Sequence, residues 1–417
     1  MQSNLRIDLK LALTPLDTRL SAAKVEGLSP IQTDLLASRR IAWLFPSLEL
    51  GQYWQPVFRC FTQTCPQTRI FTGWWDGFLP GLAHTFSLQV VGKIRYFVFN
   101  QDQGNYVDRI GYLSPRVLGP LLRWKPHIIF VSGFSLWSIL VIALKPLLRW
   151  KIILLFEGWS PSHDYRDSAI RMVLRRWMVR RMDAAATNHY KGEAYLVQVL
   201  GIDPDRVFTH PYEVPDLEIL TQTQSNGLNY HLQHSHVLQF LFVGRLIPRK
   251  GLHLLLQACA LLHQRGYENY RLQVIGQGPN EAEFRHLADE FGIHNQVEWI
   301  GWVNYDQLGT YFSQTDVFVF PTLEDTWGMV LLEAMAFGKP VLCSCWAGSA
   351  EMMVQDGENG FQCDPQQPEI LASLMAKFLD HPDWVDSMGK ASYQKIAAHS
   401  PAAATRFLLS VAQYVLQ

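Results

Sequence analysis

The feature that most restricts the fold is an alternation. Short apolar runs with strand character alternate with amphipathic helical runs along nearly the whole chain, the pattern of parallel sheets flanked by helices. In the first half the strand candidates are IAWLFPS, TRIFTGW, KIRYFVF, HIIFVSG, KIILLFE, AAATN and RVFTHPY. From Thr221 to His236 the text is TQTQSNGLNYHLQHSH, polar and without period, which reads as a linker. A second alternation then runs through LQFLFVG, RLQVIG, QVEWIGWV, DVFVFPT and PVLCSC, with helices to the end. PLLRWK occurs at Pro120–Lys125 and again at Pro146–Lys151, each copy reading as a cationic helix end before a strand.

A chain of 417 residues exceeds one ordinary core. The expected fold is therefore α/β with two Rossmann-like domains, their parallel sheets facing a central cleft. The expected boundaries are an N-terminal extension at 1–39, a first domain at 40–220, a linker at 221–236 and a second domain at 237–399. A C-terminal helix at 400–417 is expected to cross back to the first domain. Ligands of open α/β sheets bind beyond the carboxyl ends of the strands, so the residues there are the candidates for function.

Composition removes several classes. With 48% hydrophobic residues, 18% charged and a net charge of -1, the chain is neither disordered nor a generally basic nucleic-acid binder. Six cysteines form no CxxC and no paired zinc spacing, so Cys343 and Cys345 read as reduced thiols of a cytoplasmic protein and no metal is expected. Asp8, Lys10 and Asp17 interrupt the start, leaving no signal-peptide core. The uncharged stretch Ile128–Leu144 reads as a buried strand and the following helix rather than a membrane span.

In FVGRLIPRKG the strand ends at Gly244, Arg245 and Lys250 occupy the loop, and Gly251 opens a helix. Two cations beside a helix N-terminus favour an anion such as a diphosphate, although an ordinary solvated loop has the same composition. Arg249 is expected to be solvated. In VIGQGP the turn from Gly276 to Pro279 permits close approach to the backbone. After DVFVFPT, the loop LEDTWG leads into a helix at Gly328. Asp325 is placed to grip a sugar hydroxyl. Glu333, about one and a half turns into the helix, suits a vicinal diol such as ribose, because a carboxylate only accepts. The same acids are also compatible with a helix-dipole role and an ion pair.

VGRLIPRKG, VIGQGP, DVFVFPTLEDTWGMVLLEAMAFGKPV and AGSAEMMVQDGENGF resemble the signatures of GT-B retaining glycosyltransferases of family 4. The resemblance is strong from Leu238 to Asp364 and loose in the first half. It implies a nucleotide-sugar donor, such as a UDP- or GDP-sugar, held mainly by the second domain, and an acceptor held mainly by the first. It also implies no cofactor and no required metal. The family pairs two acids eight positions apart; here Glu333 matches the ribose-binding acid, and counting back gives Asp325, leaving Glu324 peripheral. Arg245 and Lys250 match the diphosphate clamp. Gly244, Gly276 and the segment Thr326, Trp327, Gly328, Met329 and Val330 match donor contacts.

The first domain departs further from the family. Gly51 follows the first strand in FPSLELGQYWQPVF, and LLFEGWSPSHDY offers Glu157, Trp159 and His163. By the resemblance His163 is the candidate for positioning the transferred sugar, completing a catalytic set of Arg245, Lys250, Asp325 and His163. Gly51, Glu157 and Trp159 are acceptor-side candidates, and Trp74 and Trp75 suit either sugar stacking or the core. The helix Arg166–Arg181 sets Ile170, Val173, Leu174, Trp177 and Met178 on one face, expected to dock, and Arg171, Arg175, Arg176 and Arg180 on the other. Those arginines suit solvent or an anionic membrane on the inner face of the cell membrane. The expected function is transfer of a sugar to a glycan or lipid-linked glycan in polysaccharide or glycolipid synthesis. A nucleotide-sugar 2-epimerase and a non-catalytic saccharide-binding protein are the alternatives on the same fold.

Overall fold

The computed structural model describes residues 31–48, 51–79, 81–92, 94–100, 108–158, 160–217, 220 and 237–417. The linker at 221–236, Trp159 and most of the 1–39 extension lie outside the described residues.

The first lobe is built on a seven-stranded parallel sheet of β1 (Ile41–Phe45), β2 (Thr68–Thr72), β3 (Leu88–Val90), β6 (Ile128–Ser132), β7 (Lys151–Phe156), β8 (Ala184–Thr187) and β9 (Val207–Thr209). The order is β3-β2-β1-β6-β7-β8-β9. Every residue of β1 is buried, because helices cover both faces of a parallel sheet. Trp43 anchors this core, stacked on Phe130 with ring centroids 4.2 Å apart.

KIRYFVF was expected in this sheet. It forms instead β4 (Arg95–Asn100), paired antiparallel with β5 (Asp108–Tyr112) as a separate ribbon. A parallel partner needs a crossover of about a dozen residues, and the link from β4 to β5 is too short for one. The three-residue β3 takes the sheet edge.

The second lobe holds β10 (Leu238–Val243), β11 (Tyr270–Ile275), β12 (Val297–Gly301), β13 (Val317–Phe320), β14 (Val341–Ser344) and β15 (Gly360–Cys363). All are parallel, in the order β12-β11-β10-β13-β14-β15. β15 was not among the sequence candidates. It is four residues long and opens on Gly360, where a Cβ would sit 2.0 Å from the Val341 carbonyl oxygen. The chain leaves β10 toward one edge and returns through β13 toward the other. The crevice beyond the ends of β10 and β13 is therefore the topological switch point, the place where such sheets bind ligands.

Helix Pro401–Tyr414 lies against helix Gly51–Thr64, with the Thr405 hydroxyl donating to the Val57 carbonyl at 3.4 Å. One apolar cluster runs through both lobes, from Trp43 to Leu332 and Phe407. A second cluster, on the opposite face of the first sheet, contains only residues between 42 and 207. Helices Leu136–Leu148 and Ala169–Val179 cover that face. The second of these corrects the sequence reading. It docks through Met172, Met178 and Val179, while Ile170, Val173 and Leu174 point outward. Both faces of this helix are apolar enough to dock, and Met172, opposite Ile170, won the place on the sheet.

No helix of the described residues is long and apolar enough to cross a membrane; HIIFVSG is β6 and its sequel the Leu136–Leu148 helix. All six cysteines are free thiols, and no group of three or more His, Cys, Asp or Glu among the described residues could hold a metal.

Candidate active site

A cleft of about 800 Å³ opens between the lobes at the switch point of the second sheet. The loop after β10 passes through a short 3-10 turn, Pro248–Lys250, before helix Leu252–Gln264. Gly251 ends that turn in the left-handed region, φ 74°, where a Cβ would lie 1.8 Å from the Pro321 carbonyl oxygen. Glycine thus lets the two switch-point loops touch. Gly244, Arg245, Arg249 and Lys250 all line the cleft. Arg245 is exposed there, and its guanidinium makes no hydrogen bond or ion pair to the described residues. Lys250 Nζ pairs with Asp325 Oδ2 at 2.5 Å. Arg249 is not simply solvated: it lines the cleft and donates to the Glu324 carbonyl at 2.8 Å, tying the loop after β10 to the loop after β13.

The loop after β13 carries Asp325, Thr326, Trp327 and Gly328 into helix Met329–Ala336, and all of these with Met329, Val330 and Glu333 line the cleft. Gly328 precedes the helix at φ 91°, and Met329 and Val330, whose N–H groups have no partner within the helix, line the cavity. The motif AGS holds this loop from behind. Gly348 N–H donates to the Asp325 carbonyl at 2.9 Å and Ser349 N–H to the Trp327 carbonyl at 2.9 Å. A Cβ on Gly348 would lie 1.9 Å from the Thr326 carbonyl oxygen. Asp325 spends one carboxylate oxygen on Lys250 and turns the other to the Trp327 N–H at 3.4 Å.

Glu333 is buried, 2% exposed, and accepts from the Tyr53 hydroxyl of the first lobe at 2.6 Å. Burial pushes its carboxyl above the usual range, while hydrogen bonds from Tyr53 and Tyr305 pull it back. Glu324 is outside the cleft lining and joins the two lobes instead. It accepts from Ser162 N–H at 2.8 Å and from the Ser162 hydroxyl at 2.5 Å. Gly276 lies at φ 135° on the cleft wall, where a Cβ would meet the Gly244 carbonyl oxygen at 1.9 Å.

The first-lobe wall differs from the expectation. Gly51 starts its helix but does not line the cleft; a Cβ there would touch Trp75. Trp74 is exposed and Trp75 packs on Phe78 and Phe86, both away from the cleft. The backbone of His163 falls in the short helix Pro161–Asp164, and its side chain lies outside the described residues. Glu157 does line the cleft, and beside it stands Glu213, which sequence reasoning missed. Asn188 organises the pair, donating to the Glu157 carbonyl and to Glu213 Oε2, both at 2.9 Å. His189 was also missed. It is fully buried, accepts from Gly192 N–H at 3.2 Å, hydrogen-bonds the Thr326 carbonyl, and stacks on Trp327. Burial and the neighbouring Lys191 lower its pKa to about 3, so it is a neutral brace between the lobes. Trp327 completes the contact by donating to the Glu213 carbonyl at 2.9 Å.

The two carboxyls of the first lobe titrate abnormally. Burial raises Glu157; burial and the adjacent Glu157 raise Glu213, against hydrogen bonds from Asn188 and Trp54. A carboxyl whose folded-state pKa exceeds its unfolded value stabilises the fold fully below the unfolded value and loses that contribution as pH rises through the folded one. Glutamine mimics the protonated acid at every pH. Glu213→Gln is therefore expected to melt like the wild type near about pH 4 and to become the more stable protein as pH rises. Melting temperature measured against pH for both proteins checks this; curves that stay parallel contradict the buried pair.

Residues 232–395, the second lobe, match the family glycosyl transferases group 1; that is 164 of 417 residues. D-inositol 3-phosphate glycosyltransferase of Corynebacterium glutamicum is 28% identical over 61% of this chain and 63% of its own length. The chain thus aligns with less than two thirds of that relative. Among solved structures, HepE of Anabaena in complex with UDP superposes with a TM-score of 0.67 at 16% identity, over 90% of this chain and all of that one. Sucrose-phosphate synthase from Thermosynechococcus elongatus gives 0.66 at 17% identity, over 90% of this chain and 98% of that one. The fold is GT-B: two Rossmann-like lobes whose parallel sheets face one cleft. Its second lobe is the part of the chain that matches glycosyl transferases group 1.

Proposed function

We propose that this protein is a retaining hexosyl-type glycosyltransferase of family 4. It moves a sugar from a nucleotide diphosphate to a glycan or lipid-linked glycan in polysaccharide or glycolipid synthesis. The observation that carries this reading is the convergence, on one wall of the cleft, of Arg245, Lys250, the start of helix Met329–Ala336, Asp325 and Glu333. Solved relatives of the same fold hold UDP and UDP-glucose, which supports a nucleotide-sugar ligand.

In this reading the diphosphate lies against Arg245 and Lys250 and over the helix start. Glu333 takes the ribose hydroxyls and Asp325 faces the transferred sugar. Breaking the anomeric bond leaves negative charge on the diphosphate, and fixed cations stabilise it as it forms. The acceptor attacks from the leaving-group face and its proton passes to the phosphate, so neither a protein nucleophile nor a divalent ion is required. His163 assists in positioning the sugar, and Glu157 faces the acceptor side. The enzyme works at the inner face of the cell membrane, held there by the cationic outer surface of its first lobe.

A thermal-shift panel of nucleotide diphosphates and their sugars tests the donor site. A ligand bound only by the native state, present at 100 times its Kd, adds about 2.7 kcal/mol of stability. UDP or GDP is expected to raise the melting temperature of the wild type. No stabilisation by any nucleotide diphosphate would remove the reading.

A further inference from the structure

We propose that the outer face of the first lobe docks on an anionic lipid bilayer, with lipid phosphates entering a cationic hollow and a ridge of aliphatic side chains entering the headgroup layer. The inference rests on the membrane part of the function proposed above, not on its donor site.

Charge is the first observation. Residues 113–182 contain twelve Lys and Arg against three Asp and Glu, while the rest of the chain carries 24 against 34. A chain of net charge -1 has therefore concentrated its positive charge in one segment of one lobe. That segment covers the sheet face turned away from the second lobe, since its core contains only residues between 42 and 207.

The second observation is a hollow of about 420 Å³ at the carboxyl ends of helices Leu136–Leu148 and Ala169–Val179. Lys145, Arg149, Lys151, Arg180, Arg181 and Arg206 line it, with Asp183 as the one acid among its lining residues. Asp183 pairs with Lys145 at 2.7 Å and lies 3.9 Å from Lys151. One carboxylate cannot neutralise six cations. Cations at helix carboxyl ends also suit the dipole, which accounts for Arg149 and Arg180 but not for the whole ring.

The third observation is the ridge. Leu147 is 80% exposed, Ile170 83% and Val173 67%, and Leu148 and Leu174 are exposed beside them. These side chains stand on the two helices that end at the hollow. Aliphatic side chains and cations on one outward surface fit the boundary of a bilayer, where apolar groups enter and basic groups meet anionic lipid. Arg175, expected to face solvent, is not part of it. Its guanidinium donates to the Tyr195 hydroxyl at 2.7 Å and to the Asp164 carbonyl at 3.1 Å. The first thirty residues do not complement this surface in charge, with four cations against three acids.

Flotation of the full chain with phosphatidylcholine vesicles, with and without phosphatidylglycerol, tests the proposal. The wild type is expected to float with the anionic vesicles only, and less at high salt, because salt screens exposed charge. Ile170→Asp with Val173→Asp is expected to abolish flotation. Arg180→Gln and Arg181→Gln are each expected to weaken partitioning about fivefold. All four side chains are exposed, so melting temperature and stabilisation by UDP should be unchanged in these variants. Loss of the UDP response in the wild type would count against the donor site and leave this inference standing. Three results overturn it: no flotation with anionic vesicles at low salt, flotation of the double aspartate variant as strong as wild type, or a concentration-dependent dimer that this variant dissociates while vesicles bind neither protein.

Discussion

Lys250→Ala and Arg245→Ala are each expected to lower sugar transfer by about tenfold or more, the cost of removing one preorganised charge from a developing anion. The two variants should differ in how they fail. Arg245 is exposed and unpaired among the described residues, so its loss removes charge from the cleft and disturbs little else. Lys250 is paired with Asp325, so its loss also leaves a half-buried carboxylate without its cation. That carboxylate stands beside the place proposed for the diphosphate, with its charge no longer offset, and repels it. Nucleotide diphosphate affinity should therefore fall further in Lys250→Ala, and Lys250→Ala with Asp325→Asn should recover part of the affinity but not of the rate. Calorimetric titration with UDP and GDP gives the affinities, and product formation from the donor that binds gives the rates. Near-normal kinetics in both single variants would place the diphosphate elsewhere.

Gly276→Ala should be as damaging by a different route. The new Cβ would stand 1.9 Å from the Gly244 carbonyl oxygen, a backbone atom that cannot swing away, at φ 135° where side chains are strained. Relief requires the loop after β11 to part from the loop after β10, which carries Arg245 and Lys250. The expected cost is about 3 kcal/mol or more, in the range of substitutions that force apart packed backbone. Stabilisation by UDP should be lost with it. Gly266→Ala is the control: φ is 85°, but nothing lies within 4 Å of its Cβ, so only the conformational cost of about 1 kcal/mol remains. Melting temperatures of the two variants decide the matter, and equal losses would show that the contact with Gly244 is not what glycine protects.

The second-lobe wall of the cleft could be assembled on paper because it is local. Gly244 through Lys250 and Asp325 through Glu333 are two short segments at strand ends, and each keeps its own loop-to-helix geometry. The family resemblance, with its two acids eight positions apart, singled out Asp325 over Glu324, and the structure puts Asp325 on the cleft lining and Glu324 off it. The first-lobe wall is not local. Tyr53, Glu157 and Glu213 come from three separate stretches of the chain, and no interval along the sequence relates them. His189 was invisible for the same reason: its partners are a turn amide nearby and the Thr326 carbonyl of the other lobe.

The amino-acid order alone determined that the chain would build two parallel sheets, where most strands end, and which loop cations and acids could meet a ligand. These follow from short-range rules, in which side-chain period and glycine placement act over a few residues. Tertiary structure alone decided which residues of the first lobe face the second, that KIRYFVF leaves the sheet for a hairpin, and that Ile170 and Val173 look outward. Those outcomes depend on competition between surfaces distant in sequence for the same buried area. A helix with two apolar stripes carries no local mark of which stripe the sheet will cover.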